Sequence, residues 1–107
     1  MPLMHYVYVS VTADAGSEAL EIGISSTPEK HVIVDSLSTL ATSGVYLKAY
    51  YEREEILAFP TELASTQKPD EELNLDIPEG GILYVGLKNT TGSPVTQDIV
   101  IKYHYKE

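Results

Sequence analysis

Residues 73–105 read LNLDIPEGGILYVGLKNTTGSPVTQDIVIKYHY, and this stretch decides the fold class. Leu73, Leu75 and Ile77 alternate with Asn74 and Asp76. Pro78-Glu79-Gly80-Gly81 then interrupts the pattern as a turn. Leu83, Val85 and Leu87 follow on one parity, and Asn89-Thr90-Thr91-Gly92-Ser93-Pro94 makes a second turn. Ile99, Ile101, Tyr103 and Tyr105 then alternate with Asp98, Lys102, His104 and Lys106. Apolar residues at every second position, punctuated by Gly and Pro, specify strands with one buried face. A helix would need its apolar residues three and four apart.

The same period continues upstream. Residues 4–13 place His5, Val7, Val9, Val11 and Ala13 on one face and Tyr6, Tyr8, Ser10 and Thr12 on the other. Residues 18–25 put Leu20, Ile22 and Ile24 inward by simple alternation. A third strand is expected over 30–37, around Val32-Ile33-Val34, and a fourth over 45–52. In the fourth, Val45, Leu47, Ala49 and Tyr51 share the core parity, with Tyr46, Lys48 and Tyr50 opposite. A short fifth strand is expected at 54–59, before a stretch at 60–71 with no strand signal beyond one possible helical turn at 61–64. The last three strands fall at 72–77, 82–89 and 95–106. Eight short antiparallel strands in 107 residues predict a single all-β domain, a two-sheet sandwich. The strand count favours a jelly roll over an immunoglobulin-like sandwich, whose usual core Trp and Cys pair are absent.

Composition narrows the function. With no cysteine, disulfides, thiolate metal sites and cysteine nucleophiles are excluded. The net charge of −9 repels phosphate backbones, so no nucleic-acid partner is expected. The N-terminal residues lack a basic segment and an apolar run, so neither a signal peptide nor a membrane span is expected. Asn and Gln total four, and scarce amides are one trait of thermophile proteins.

No catalytic, cofactor-binding or metal-binding residues are assigned. His5, His31 and His104 lack ligand spacing, and they read as isolated side chains at strand ends. The acids at 52, 54 and 55 and at 70–72, 76 and 79 match no calcium loop and read as a solvated rim. Two of them could serve a glycosidase only across a cleft, which no insertion supplies. No nucleophile elbow exists, and Gly80-Gly81 lacks the lysine and helix of a phosphate loop. Asn89-Thr90-Thr91 matches a glycosylation acceptor but reads as a turn.

Tyrosine is the strongest lead, with eight residues and no tryptophan. Tyr51, Tyr103 and Tyr105 have core parity. Tyr6, Tyr8, Tyr46 and Tyr50 have the opposite parity, and Tyr84 joins them. If their strands share a sheet, these five form one aromatic outer face. Tyrosine is enriched at protein interfaces, and the same rings can stack on sugars.

Residues 75–92, LDIPEGGILYVGLKNTTG, in a short acidic all-β chain resemble the β-sandwich structural proteins of viruses and phages. Jelly-roll capsid, turret and decoration proteins are similar in strand layout. The resemblance implies a virion location and packing against copies of the same chain, a trimer among the options, or against a shell protein. The residues point the same way: a non-enzymatic assembly protein without cofactor. The alternative is a carbohydrate-binding module or adhesin-type domain.

Overall fold

The computed structural model describes residues 3–40, 42–61 and 70–106, with backbone alone at 70–72. Eight strands form: β1 (His5–Ala13), β2 (Glu18–Ser25), β3 (Val32–Ser38), β4 (Val45–Tyr51), β5 (Glu54–Pro60), β6 (Asp70–Ile77), β7 (Ile82–Asn89) and β8 (Val95–Tyr105). The expected strands are therefore present, with ends displaced by a residue or two. The helical turn expected at 61–64 lies beyond Thr61, outside the described residues.

The strands make two four-stranded sheets, ordered β1-β8-β3-β6 and β2-β7-β4-β5, with every pairing antiparallel. The partners nest: β1 with β8, β2 with β7, β3 with β6 and β4 with β5. The chain behaves as one long hairpin folded back at the β4–β5 turn and wound around a common core. That nesting is the jelly roll, and it sets aside the immunoglobulin arrangement. Edge strands β1 and β2 pack against each other across the sandwich, so both lie along one side of the molecule.

The core is apolar and closed. Val11, Val32, Val34, Leu37, Val45, Leu47, Ile77, Leu83, Val85, Leu87, Ile99 and Ile101 are fully buried, filled in by Ala13 and Ala49. Val7, Val9, Ile24, Leu75, Tyr51, Tyr103 and Tyr105 pack around this centre with partial exposure. Two expected core residues are not there. Leu20 is 39% exposed and Ile22 is 60% exposed. The register between β2 and β7 slips between Ile22 and Ile24, which pair with Tyr84 and Leu83. Gly23 is the extra residue, and a β-bulge reverses the facing of whatever precedes it. A Cβ on Gly23 would lie 2.9 Å from Ile101 Cδ1 and 3.1 Å from the Leu83 carbonyl oxygen, so a side chain at the bulge would require its neighbours to shift. Ile24 thus points inward, while Leu20 and Ile22 point to solvent.

Buried polar groups pin the connections. The Asn89 amide donates to the carbonyls of Ala13 at 3.1 Å and Ser93 at 2.6 Å and accepts the Thr91 N–H at 2.9 Å. Asn89 is fully buried, so it serves the turn and offers no nitrogen to a glycan in the folded chain. The Gln97 side chain donates to Thr39 Oγ1 and the Leu40 carbonyl, both at 3.0 Å, which ties down the crossing from β3 to β4. These bonds satisfy groups whose burial would otherwise cost about 1–3 kcal/mol each.

Candidate functional site

The five outward tyrosines do not share a face. Tyr6 and Tyr8 lie on β1 and Tyr46 and Tyr50 on β4, and these strands belong to different sheets. The single aromatic patch expected from parity is therefore corrected to two surfaces on opposite sides of the sandwich. Parity distinguishes in from out; it carries no information about which sheet a strand joins.

The first surface is the outer face of β2-β7-β4-β5. Tyr50 stands opposite Tyr84, and Tyr84 stands opposite Ile22. One row lower, Lys48 and Leu20 flank Gly86. A Cβ on Gly86 would meet the Ala19 carbonyl oxygen at 1.9 Å and Leu20 Cδ2 at 2.7 Å. The missing side chain lets groups from β2 and β4 meet over the top of β7. Leu20 folds into that gap from one side. From the other strand, the Tyr50 hydroxyl donates to Glu18 at 3.1 Å, and Lys48 Nζ lies 3.5 Å from the same carboxylate. Tyr46 lies at the far end of this face, opposite Lys88.

Lys48 is only 8% exposed despite its outward position. Its ammonium bonds Glu55 and sits 5.7 Å from the centre of the Tyr50 ring. The bond to Glu55 raises the Lys48 pKa above its ordinary value, against the opposing effect of burial. Burial, then the bond to Glu18, raises that of the Tyr50 phenol. The charge is thus compensated in place, and the stem of Lys48 covers apolar surface. Leu20, Ile22, Tyr84 and Tyr50 remain as an apolar and aromatic strip beside this ion cluster.

Arg53, the chain's only arginine, closes the strip. It occupies the two-residue turn between β4 and β5, where Glu52 has φ 52° and Arg53 φ 69°. Positive φ at both central residues marks a type I′ hairpin turn, which normally uses Asn-Gly. Neither residue here is suited to it, and the conformation costs about 1–3 kcal/mol per residue. The turn brings Arg53 against Leu20, Tyr50 and Tyr84, which together line a shallow groove of about 340 Å³.

The second surface is the outer side of β1. Tyr6 is 57% exposed and Tyr8 70% exposed, and Tyr8 borders a shallow groove with Leu40, Thr96 and Val100. No strand among the described residues pairs with the far edge of β1.

The histidines, expected to be isolated, gather at one end of the β1-β8-β3-β6 sheet. His31 bonds Asp76, and His104 Nδ1 lies 2.8 Å from Asp35 Oδ2. His5 stacks on Tyr103 at 5.3 Å, and Lys30 lies over the Tyr105 ring at 4.9 Å. His31 and Lys106, the latter at 3.7 Å, hold the Asp76 carboxyl below its ordinary pKa. The pairs tie neighbouring strands together. Among the described residues no hydroxyl bonds either imidazole, and no three metal-ligating side chains converge.

No family model matches this sequence, and no curated protein matches it. Among solved structures, the nucleoplasmin-like N-terminal domain of Drosophila FKBP39 is similar, with 12% identity over 95% of this chain and 91% of that one and a TM-score of 0.45. A likeness of that degree carries no statement about activity or partners. Among the described residues, no helix is long and apolar enough to cross a membrane.

Sequence reasoning missed Leu20, Ile22 and Arg53 as surface groups. The signal for the first two was Gly23, since an isolated glycine inside a strand pattern marks a bulge. Arg53 carried no signal, because Glu52-Arg53 has none of the residues that announce a tight turn.

Proposed function

We propose that this chain is a non-enzymatic assembly protein that packs against copies of itself, as a structural component of a viral or phage particle. One observation carries the reading: the exposed Leu20 and Ile22 stand beside the half-buried Tyr84 and Tyr50 on the outer face of β2-β7-β4-β5, on a molecule otherwise rich in surface carboxylates. Clustered apolar side chains of this kind mark contact sites. Tyrosine supplies a large apolar body with a polar tip, which suits a surface that is wet before assembly and dry after it. Lys48 is neutralised within the same face, so burying the strip does not leave that ammonium unpaired.

The decisive measurement is sedimentation of the wild type and of the Ile22→Ser, Tyr50→Ser double variant at micromolar concentration. The expected result is an oligomer that the double variant loses, with its circular dichroism unchanged. A wild type that stays monomeric at every concentration overturns the reading.

The Arg53 groove favours one second reading, a carbohydrate-binding domain. Two tyrosine rings beside an arginine offer stacking faces and a partner for an acidic sugar. A glycan screen distinguishes the two: a monomer that binds a sugar, and loses it on Tyr84→Ser, supports the binding module.

A further inference from the structure

A jelly roll leaves four sheet edges, and this one treats them unequally. Edge strand β2 carries Glu18 and Glu21 and is broken by the bulge at Gly23. Edge strand β5 carries Glu54 and Glu55, ends on Pro60, and slips register where it pairs with β4. Edge strand β6 opens on an Asp-Glu-Glu run and includes Asp76, and its pairing with β3 is also irregular. Charges, prolines and bulges are the devices that keep edge strands from pairing with other chains. Edge strand β1 has none of them. Its sequence HYVYVSVTA holds no acid, lysine, arginine, proline or glycine, and its register with β8 runs unbroken from His5 to Ala13. Among the described residues, three edges are blunted and one is left open.

We infer that the open edge of β1 pairs antiparallel with β1 of a second copy, joining two sheets into one continuous eight-stranded sheet across a two-fold axis. The inference rests on the assembly reading and names a contact within it. Charge selects the partner. Copies with net charge −9 repel one another, and the other three edges would set carboxylates against carboxylates. Two β1 strands meet without any such opposition. The side-chain pattern is also self-matching. A two-fold axis perpendicular to the sheet returns outer faces to outer faces. With Val7 on that axis, Tyr6 stands opposite the partner's Tyr8 and Tyr8 opposite the partner's Tyr6, while His5 faces Val9 on the core side. Four tyrosines, the exposed Tyr6 and Tyr8 of each copy, then form two cross-strand aromatic pairs, a stabilising arrangement on an antiparallel ladder. The same contact satisfies the unpaired N–H and C=O groups along the edge.

The test uses the full chain. In the Tyr6→Lys, Tyr8→Lys variant, like charges meet across the axis while the exposed positions leave the core untouched. Sedimentation should show self-association weakened by at least about tenfold, with an unchanged circular dichroism spectrum. Because the chain has no cysteine, Ser10→Cys carries a single spin label. With Val7 on the axis, Ser10 lies opposite Met4 of the other copy, so the two Ser10 backbones are six residues apart along the ladder, about 20 Å. Pulsed electron resonance should show that distance, and mixing with unlabelled protein should dilute it away. An oligomer that survives the lysine variant but is lost with Ile22→Ser, Tyr50→Ser overturns the edge contact and leaves the assembly reading standing. A monomeric wild type overturns both.

Discussion

Asp76 bonds His31 and faces the Lys106 ammonium at 3.7 Å, at the exposed end of β6. The bond from His31, more than the nearby charges, lowers its pKa below the ordinary carboxylate value. A carboxyl whose folded pKa lies below its unfolded one stabilises the fold above the unfolded value, about pH 4, and loses that contribution as pH falls through the folded value. Asp76→Asn should therefore melt earlier than wild type at pH 5, and the two melting curves should converge as pH falls toward 2. Thermal melts followed by circular dichroism at stepped pH check this. Identical curves at pH 5 would show that the His31 and Lys106 contacts do not hold in solution. At this scale the sequence is informative about type and silent about partner: Asp76 and His31 are 45 positions apart, and no local pattern joins them.

At the scale of the element, β2 is the strand whose facing had to be seen. Alternation alone puts Leu20, Ile22 and Ile24 on one face, and the bulge at Gly23 breaks that phase. The two assignments predict different energetics. If Ile22 pointed inward, its truncation to Ala would cost about 2–5 kcal/mol. Facing solvent as it does, Ile22→Ala should change stability by no more than about 0.5 kcal/mol. Leu83→Ala, directly in the core opposite Ile24, should cost about 2–5 kcal/mol in the same denaturant titration. Equal losses for both variants would place Ile22 back in the core and remove the exposed strip. The bulge also has a use: it turns two aliphatic side chains toward Tyr84 and Tyr50, and it disrupts the β2 edge against pairing.

At the scale of the whole molecule, the nested pairing dictates how the chain must fold. His5 pairs with Tyr103, so closing the β1–β8 ladder joins the two ends of nearly the entire chain. Loop closure must come before such contacts can stabilise anything, and folds dominated by non-local pairs are slow. Refolding should take on the order of milliseconds to seconds. Stopped-flow tyrosine fluorescence can follow it, since the chain has eight tyrosines and no tryptophan. Complete recovery within microseconds would contradict the nested order. The same topology sets β1 and β2 along one side, so the open edge and the apolar strip occupy neighbouring but separate surfaces. A two-fold contact on one and a second contact on the other allow assemblies larger than a dimer.

The amino-acid sequence alone determined the strands, their approximate ends and the inward parity of β1, β4, β7 and β8. The reason is local: the two-residue period is a property of the extended backbone, and Gly and Pro act within a turn. Arg53 escaped notice because its left-handed backbone is imposed by the short β4–β5 connection and not by its own preference. Strand order, the division of the outward tyrosines into Tyr6 and Tyr8 on one side and Tyr46, Tyr50 and Tyr84 on the other, the pairing of His31 with Asp76 and of His104 with Asp35, and the choice of β1 as the open edge were decided only by tertiary structure. Each depends on which distant segments lie side by side. That is settled by the closing of one shared core over residues far apart in the chain, and alternation along a single strand has no access to it.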